Sequence, residues 1–311
     1  MRYKFSDAEP ILISGSVKSA GYILAAASLC GGVTRIANFP LLSKSAHCGG
    51  VKASDADISR LIELMTEHGY SFSFAEDEDG AYIEVSGLKD PKPKDFLDTF
   101  ASAPPSFSAV YNIIGETLGG TEEELLSQKG YFSSVVYSSG VSGGGRYSSI
   151  VQINNEPDIT AGLALGAAKS SKKLALYNCS REPEIVDLQN CLNKMGAKIK
   201  GAGTDTIKIE GVDSLHGCEH SLIPDRNRAF SAAIDNLLSG KKAALKFVEP
   251  EHMKVGLALL KGLGCVLSVS EDSVVIEPEV PADKMRELLK AIKPMPEPYP
   301  GVDGQMLRMF G

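Results

Sequence analysis

The chain has 311 residues, 43% of them hydrophobic and 23% charged, enough apolar material for one large globular domain or two ordinary ones. A formal net charge of -7 argues against general nucleic-acid binding through a basic surface, and no apolar run reaches the ~18–20 residues of a membrane span. Six scattered cysteines fit a reducing cytoplasm better than a disulfide framework, and the charged start from Met1 to Glu9, followed by Pro10, does not read as a signal peptide.

One pattern recurs along the chain. A helix of small apolar residues leads to a short strand, then to an amphipathic helix ending in Gly, and then to a hairpin. In the first copy the helix is Gly21 to Cys30 and the strand Val33 to Asn38. The second helix is Ala56 to Glu67, before Gly69, and the hairpin is Tyr70 to Phe74 with Ala81 to Val85. The Ser- and Gly-rich stretch from Leu42 to Asp55 reads as an inserted loop. From Pro91 to Ile150 the pattern fades. That segment holds Pro104-Pro105, a helix-like Ser108 to Leu118, an acidic Thr121 to Gln128 and a Gly- and Ser-rich run from Ser138 to Ser149, and it reads as a shortened copy.

The third copy is the clearest. Ile159 to Lys169 is its small-residue helix, Lys173 to Asn178 its strand, and Arg181-Glu182-Pro183-Glu184 the turn. Ile185, Leu188, Leu192 and Met195 give the amphipathic helix, and Gly196 a left-handed cap. Ala197 to Lys200 and Thr206 to Glu210 form the hairpin. The last copy has Arg228 to Leu238, Ala243 to Val248, Met253 to Leu263, Gly264, and a hairpin of Cys265 to Val269 with Ser273 to Glu277. Glu249-Pro250-Glu251 repeats the Glu-Pro-Glu of the earlier turn. Units this small bury their apolar faces only by packing together, so the expected fold class is mixed α/β, a few packed βαβαββ modules.

Several strings between Tyr177 and Arg226 carry a family resemblance. They are Asn178-Cys179-Ser180-Arg181-Glu182-Pro183-Glu184, Met195-Gly196-Ala197-Lys198-Ile199, Gly201-Ala202-Gly203-Thr204-Asp205-Thr206, and Ile223-Pro224-Asp225-Arg226. Together they resemble the UDP-N-acetylglucosamine 1-carboxyvinyltransferases, relatives of enolpyruvyl shikimate-phosphate synthase. Ile13-Ser14-Gly15 is similar to the family's entry, and Pro298-Tyr299-Pro300-Gly301-Val302-Asp303-Gly304-Gln305 to a later stretch. The resemblance implies an inside-out α/β barrel of two domains with the active site in the cleft between them. It places a first domain at residues 14–226, with units at about 14–88, a degraded 91–150, and 151–226. Residues 1–13 plus 227–311 make a partial second domain, the family's final part being absent.

The implied reaction adds a sugar hydroxyl to the double bond of phosphoenolpyruvate and then eliminates phosphate, a step in peptidoglycan precursor synthesis. It needs cations on the phosphate and carboxylate, a proton for the methylene carbon, and a carboxylate near the hydroxyl. By resemblance, Lys18 contacts phosphoenolpyruvate, although it stands one residue late and also reads as a solvated lysine at a helix start. Asp303 acts near the attacking hydroxyl, or is a turn aspartate between glycines. Thr160 helps to hold the nucleotide sugar at a helix N-terminus. Asp158, beside it, repels a diphosphate and also reads as an ordinary N-cap. Arg146, in Ser142-Gly143-Gly144-Gly145-Arg146, could cradle an anion or lie in a flexible turn.

The family's Cys- or Asp-bearing loop has no counterpart, since no cysteine lies between Cys48 and Cys179. No cofactor or metal is required by this chemistry. His216, Cys218 and His220 share one face if their segment is a strand, a spacing that zinc or copper could use. Two readings follow. One is a cytoplasmic enolpyruvyl transferase using phosphoenolpyruvate and UDP-N-acetylglucosamine. The other is a degenerate relative that binds a UDP-sugar or a partner protein without turnover. A homo-oligomer or a partner chain could complete the second domain.

Overall fold

A computed structural model describes residues 9–40, 52–77, 80–88, 99–100, 102–119, 149–170 and 173–291. Among them no helix is long and apolar enough to cross a membrane. The described chain divides into two compact units, one of residues 17–40 and 52–222 and one of residues 9–16 and 223–291. The fold is mixed α/β.

The larger unit carries two four-stranded sheets. The first joins β2 (Val33–Ala37), β3 (Ser71–Asp77), β4 (Gly80–Ser86) and β9 (Glu219–Ser221) in the order β3-β4-β2-β9. The second joins β5 (Ser149–Gln152), β6 (Lys173–Tyr177), β7 (Lys198–Lys200) and β8 (Thr206–Glu210) in the order β5-β6-β8-β7. Both have the same plan. A parallel neighbour flanks the central strand (β9 on β2, β5 on β6), and the antiparallel hairpin lies on its other side. On β2 burial alternates, with Thr34 and Ile36 facing the core, whereas on β6 Leu174, Ala175 and Leu176 are all buried, so both faces of that strand are covered.

The helices of this unit are α1 (Val17–Leu29), α2 (Lys52–Glu67), α3 (Pro105–Gly119), α4 (Pro157–Ala168) and α5 (Pro183–Lys194). Helices α1 and α4 are built of Ala, Gly, Ser and Leu and are buried nearly all round, as an apolar helix without a polar face must be. Helix α3 lies against both at their glycines. A Cβ on Gly21 would stand 2.0 Å from the Phe107 ring, and one on Gly162 would stand 2.8 Å from Ile113. The Tyr111 hydroxyl donates to the Gly21 carbonyl at 2.9 Å. So the shortened copy contributes a helix longer than the expected Ser108 to Leu118. The expected loop from Leu42 to Asp55 is corrected at its end, where residues from Lys52 onward already form α2.

The smaller unit repeats the plan. Strands β1 (Ile11–Leu12), β10 (Ala243–Lys246), β11 (Cys265–Val269) and β12 (Ser273–Pro278) make a sheet in the order β1-β10-β12-β11, with β1 parallel to β10. Its helices are α6 (Arg226–Leu238), α7 (Lys254–Gly262) and α8 (Ala282–Ala291). The helix expected from Met253 is preceded by a 3-10 turn, Pro250–Met253. The Asp225 carboxylate caps α6 by accepting from the backbone N–H groups of Asn227 and Arg228. A separate core of Phe230, Ile234, Leu245, Leu257, Leu260 and Ile276 fills this unit.

The repeats agree at single residues. The amphipathic helices of the three copies are followed by Gly69, Gly196 and Gly264, with φ of +92°, +100° and +86°, the left-handed cap that glycine adopts at least cost. After each central strand comes another left-handed residue: Asn38, Asn178 and Phe247. The Asn38 side chain donates to the Leu222 carbonyl at 3.0 Å and that of Asn178 to the Ile153 carbonyl at 2.6 Å, each just past the parallel neighbour strand.

Candidate functional site

Within the larger unit, the N-terminal turns of α1, α4 and α5 meet. Lys18, in the first turn of α1, reaches Glu182 with Nζ 3.0 Å from Oε2. Glu182 precedes Pro183, the first residue of α5, and Glu184 lies in that helix's first turn, with 1% of its surface exposed. One turn along α1, the buried Tyr22 hydroxyl donates to Asp158 Oδ1 at 2.6 Å, in the first turn of α4.

Acids at helix N-termini are expected, because the helix dipole favours them there. A lysine in the first turn of α1 is not, because the same dipole opposes it. Burial alone would lower the Lys18 pKa, yet the carboxylates of Glu182, Asp158 and Glu184 outweigh that and hold it above the ordinary value. The Tyr22 hydroxyl is driven well above its ordinary range, first by burial and then by Asp158. It remains a neutral donor. The Lys18 side chain keeps 31% of its exposure and Glu182 11%, so the ion pair borders solvent and is not sealed.

Thr160 lies one turn into α4 and is fully buried. Its hydroxyl donates to the Glu156 carbonyl at 2.8 Å and accepts from the Ser180 N–H at 3.1 Å. This clasp fixes the start of α4 against the segment that leads into α5. The Ser180 hydroxyl in turn accepts from the Glu182 N–H at 3.4 Å.

Three of the residues singled out in the sequence, Lys18, Asp158 and Thr160, thus come together at one place. Arg146 and Asp303 lie outside the described residues. Sequence reasoning missed Glu182, Glu184 and Tyr22. The Glu-Pro-Glu string is visible in the sequence but reads there only as a turn. Its partner Lys18 stands 164 residues away, beyond the reach of local pattern. Among the described residues no three His, Cys, Asp or Glu side chains gather as a metal site.

A family model described as EPSP synthase (3-phosphoshikimate 1-carboxyvinyltransferase) matches residues 158–311. The UDP-N-acetylglucosamine 1-carboxyvinyltransferase 2 of Streptococcus thermophilus is 28% identical over 94% of this chain and 69% of its own length. The chain is thus similar in sequence, and alike in fold, to the enolpyruvyl transferases. Over a shorter stretch, 49% of this chain, the UDP-N-acetylglucosamine 1-carboxyvinyltransferase 3 of Caldanaerobacter subterraneus is 38% identical, covering 34% of its length. Among solved structures, the enolpyruvyl transferase NikO from Streptomyces tendae superposes with a TM-score of 0.59 at 17% identity. That match covers 87% of this chain and 66% of NikO, just under two thirds, and it places the fold with the enolpyruvyl transferases. The Lys18 cluster is therefore a cluster of an enolpyruvyl transferase fold, assembled from the small-residue helices of two repeats and the Glu-Pro-Glu turn of the second.

Proposed function

We propose that the chain is an enolpyruvyl transferase that moves the enolpyruvyl group of phosphoenolpyruvate to a hydroxyl of UDP-N-acetylglucosamine. The observation that carries this reading is Lys18, a partly buried ammonium held against the dipole of its own helix by three carboxylates. Perturbed charges with a specific partner cluster at functional sites, which supports this reading. The family names of the relatives supply the substrates.

In this reading Lys18 receives the anionic groups of phosphoenolpyruvate, exchanging its contact with Glu182 for the ligand. The sugar oxygen bonds to the enol carbon while the methylene carbon gains a proton. Loss of that proton and of phosphate then restores the double bond on the transferred group. A carboxylate must take the hydroxyl proton, and Asp303 is assigned this role. Arg146 is assigned to an anionic group of the substrate. Asp158, held by Tyr22, faces the neutral sugar and not the diphosphate, because two anions would repel. Thr160 is a positioning residue, since its hydroxyl already fixes the N-terminus of α4 on which the nucleotide would rest.

A second reading has its own support. Lys18 is already matched by Glu182, with Asp158 and Glu184 adding negative charge, and the chain has no cysteine between Cys48 and Cys179. Both features fit a protein that binds a sugar nucleotide without turnover. Calorimetric titration of the full chain with UDP-N-acetylglucosamine, then with phosphoenolpyruvate, separates the two. The transferase reading expects both ligands to bind and Lys18→Met to lose phosphoenolpyruvate alone, about tenfold or more. Sugar binding with no heat from phosphoenolpyruvate would leave only the second reading.

A further inference from the structure

The segment after β8 returns along α5 before entering β9. Asp187, Cys191 and Lys194 form one face of α5, at spacings of four and three residues. The returning run from His216 to His220 packs on that face. The His216 N–H donates to the Met195 carbonyl at 3.0 Å, and Lys194 Nζ donates to the Glu219 carbonyl at 3.1 Å. At the inner end His220 Nε2 and Asp187 Oδ1 are 2.8 Å apart, both buried. Between these anchors the sulfurs of Cys218 and Cys191 stand 3.9 Å apart as free thiols.

We propose that Cys218 and Cys191 form a thiol-exchange site, in which Cys218 attacks a small disulfide of the glutathione class and Cys191 resolves the product into an intramolecular disulfide. In the first step the Cys218 thiolate bonds to one sulfur of the reagent, the reagent's S–S bond breaks, and one reagent thiolate leaves. In the second, Cys191 gives its proton to that thiolate and bonds to the Cys218 sulfur, releasing the other half of the reagent. The two protein thiols lose two electrons and two protons, and the reagent becomes two thiols.

The geometry orders the two cysteines. Cys218 is partly exposed and Cys191 fully buried, so only Cys218 meets a reagent from solvent. Either sulfur can donate in the contact between them, the Cys218 thiol also reaching the Cys191 carbonyl at 4.0 Å, and once Cys218 is a thiolate only Cys191 can donate. That bond, helped by His220, Lys194 and His216 and opposed by burial, holds Cys218 down to about 7. Cys191 is pushed well up, by its bond to Cys218, by burial and by Asp187. Glu219, the remaining acid of the run, turns outward to Arg35, with Oε1 3.7 Å from Nε, and does not oppose the thiolate. Cys30 lies near enough to feel Cys218, but burial raises it. Closing the bond needs the sulfurs to approach by about 1.9 Å, a movement asked of the two side chains, since the run's backbone is held by the Gly217 N–H on the Gly31 carbonyl and the Arg35 N–H on the Cys218 carbonyl.

The test uses the full reduced chain, freed of reductant and exposed to oxidised glutathione under native conditions, with peptide mapping over time. The expected result is a Cys191–Cys218 cross-linked peptide in the wild type. In Cys191→Ser the reaction should stop at a glutathione adduct on Cys218. Alkylation of Cys218 in the wild type should run about tenfold faster than that of Cys30, Cys179 or Cys265, rising with pH through about 7. The wild-type map alone decides the matter if the variant does not fold. Absence of the cross-link, or first modification of a buried cysteine while Cys218 stays free, would overturn the proposal.

Discussion

Lys18 stands at a helix start, as its sequence position suggests, but it is paired there with a carboxylate and not simply solvated. Its place at a helix start was legible, and so was its link to the family's entry. Its carboxylate partners were not, because Glu182 joins it across 164 residues. Since its folded pKa lies above the ordinary 10.5, the charged lysine stabilises the fold fully below that value, and the contribution is lost as pH rises through the folded value. Wild type and Lys18→Met should therefore differ by a constant unfolding midpoint in urea near neutral pH. The difference should shrink only in the alkaline range, whereas a flat difference throughout would mean that the pair adds nothing. Phe247 gives a second residue-scale prediction. It takes the left-handed conformation that asparagine takes in the other two repeats, with φ of 55° and 56% of its surface exposed. Phe247→Asn should stabilise the chain by about 0.5–1 kcal/mol in urea unfolding, by relieving the backbone and offering an amide to the Ile13 carbonyl. Destabilisation would show that the exposed ring is held by contacts that matter more.

At the scale of elements, the small-residue helices explain the packing of the larger unit. Helix α3 approaches α1 and α4 closely only because Gly21 and Gly162 lack side chains. Gly162→Ala should cost about 1–3 kcal/mol in thermal or urea unfolding, although alanine is the better helix former, because its Cβ would meet Ile113 at 2.8 Å and the Val110 carbonyl at 3.1 Å. A neutral or stabilising result would mean that α3 shifts freely. The order of helix, strand, helix and hairpin was legible in three copies, because each is local and each ends its amphipathic helix in glycine. The parallel strands were harder. Strand β9 completes the sheet of β2 from nearly two hundred residues away, and β1 completes the sheet of β10. Each is only two or three residues long, too short to carry a period of its own. The start of α2 was hidden for another reason, since Lys52 to Asp55 follow a Gly- and Ser-rich run whose composition spoke louder than their own helical propensity.

At the scale of the molecule, three sheets of one plan divide between two units, each with its own core. The repeats and the family strings made this fold legible. Of the candidate site, Lys18, Asp158 and Thr160 were singled out in the sequence, but their meeting with Glu182, Glu184 and Tyr22 was not, because it depends on where α1, α4 and α5 begin relative to one another. The central claim is that Lys18 serves enolpyruvyl transfer and is not merely half of an ion pair. The most direct measurement is phosphate release from phosphoenolpyruvate by the full chain, with and without UDP-N-acetylglucosamine. Release that requires the sugar nucleotide and falls at least about a hundredfold in Lys18→Met is the predicted result. Bound sugar nucleotide with no phosphate released would contradict it and leave a binding protein on an enolpyruvyl transferase fold.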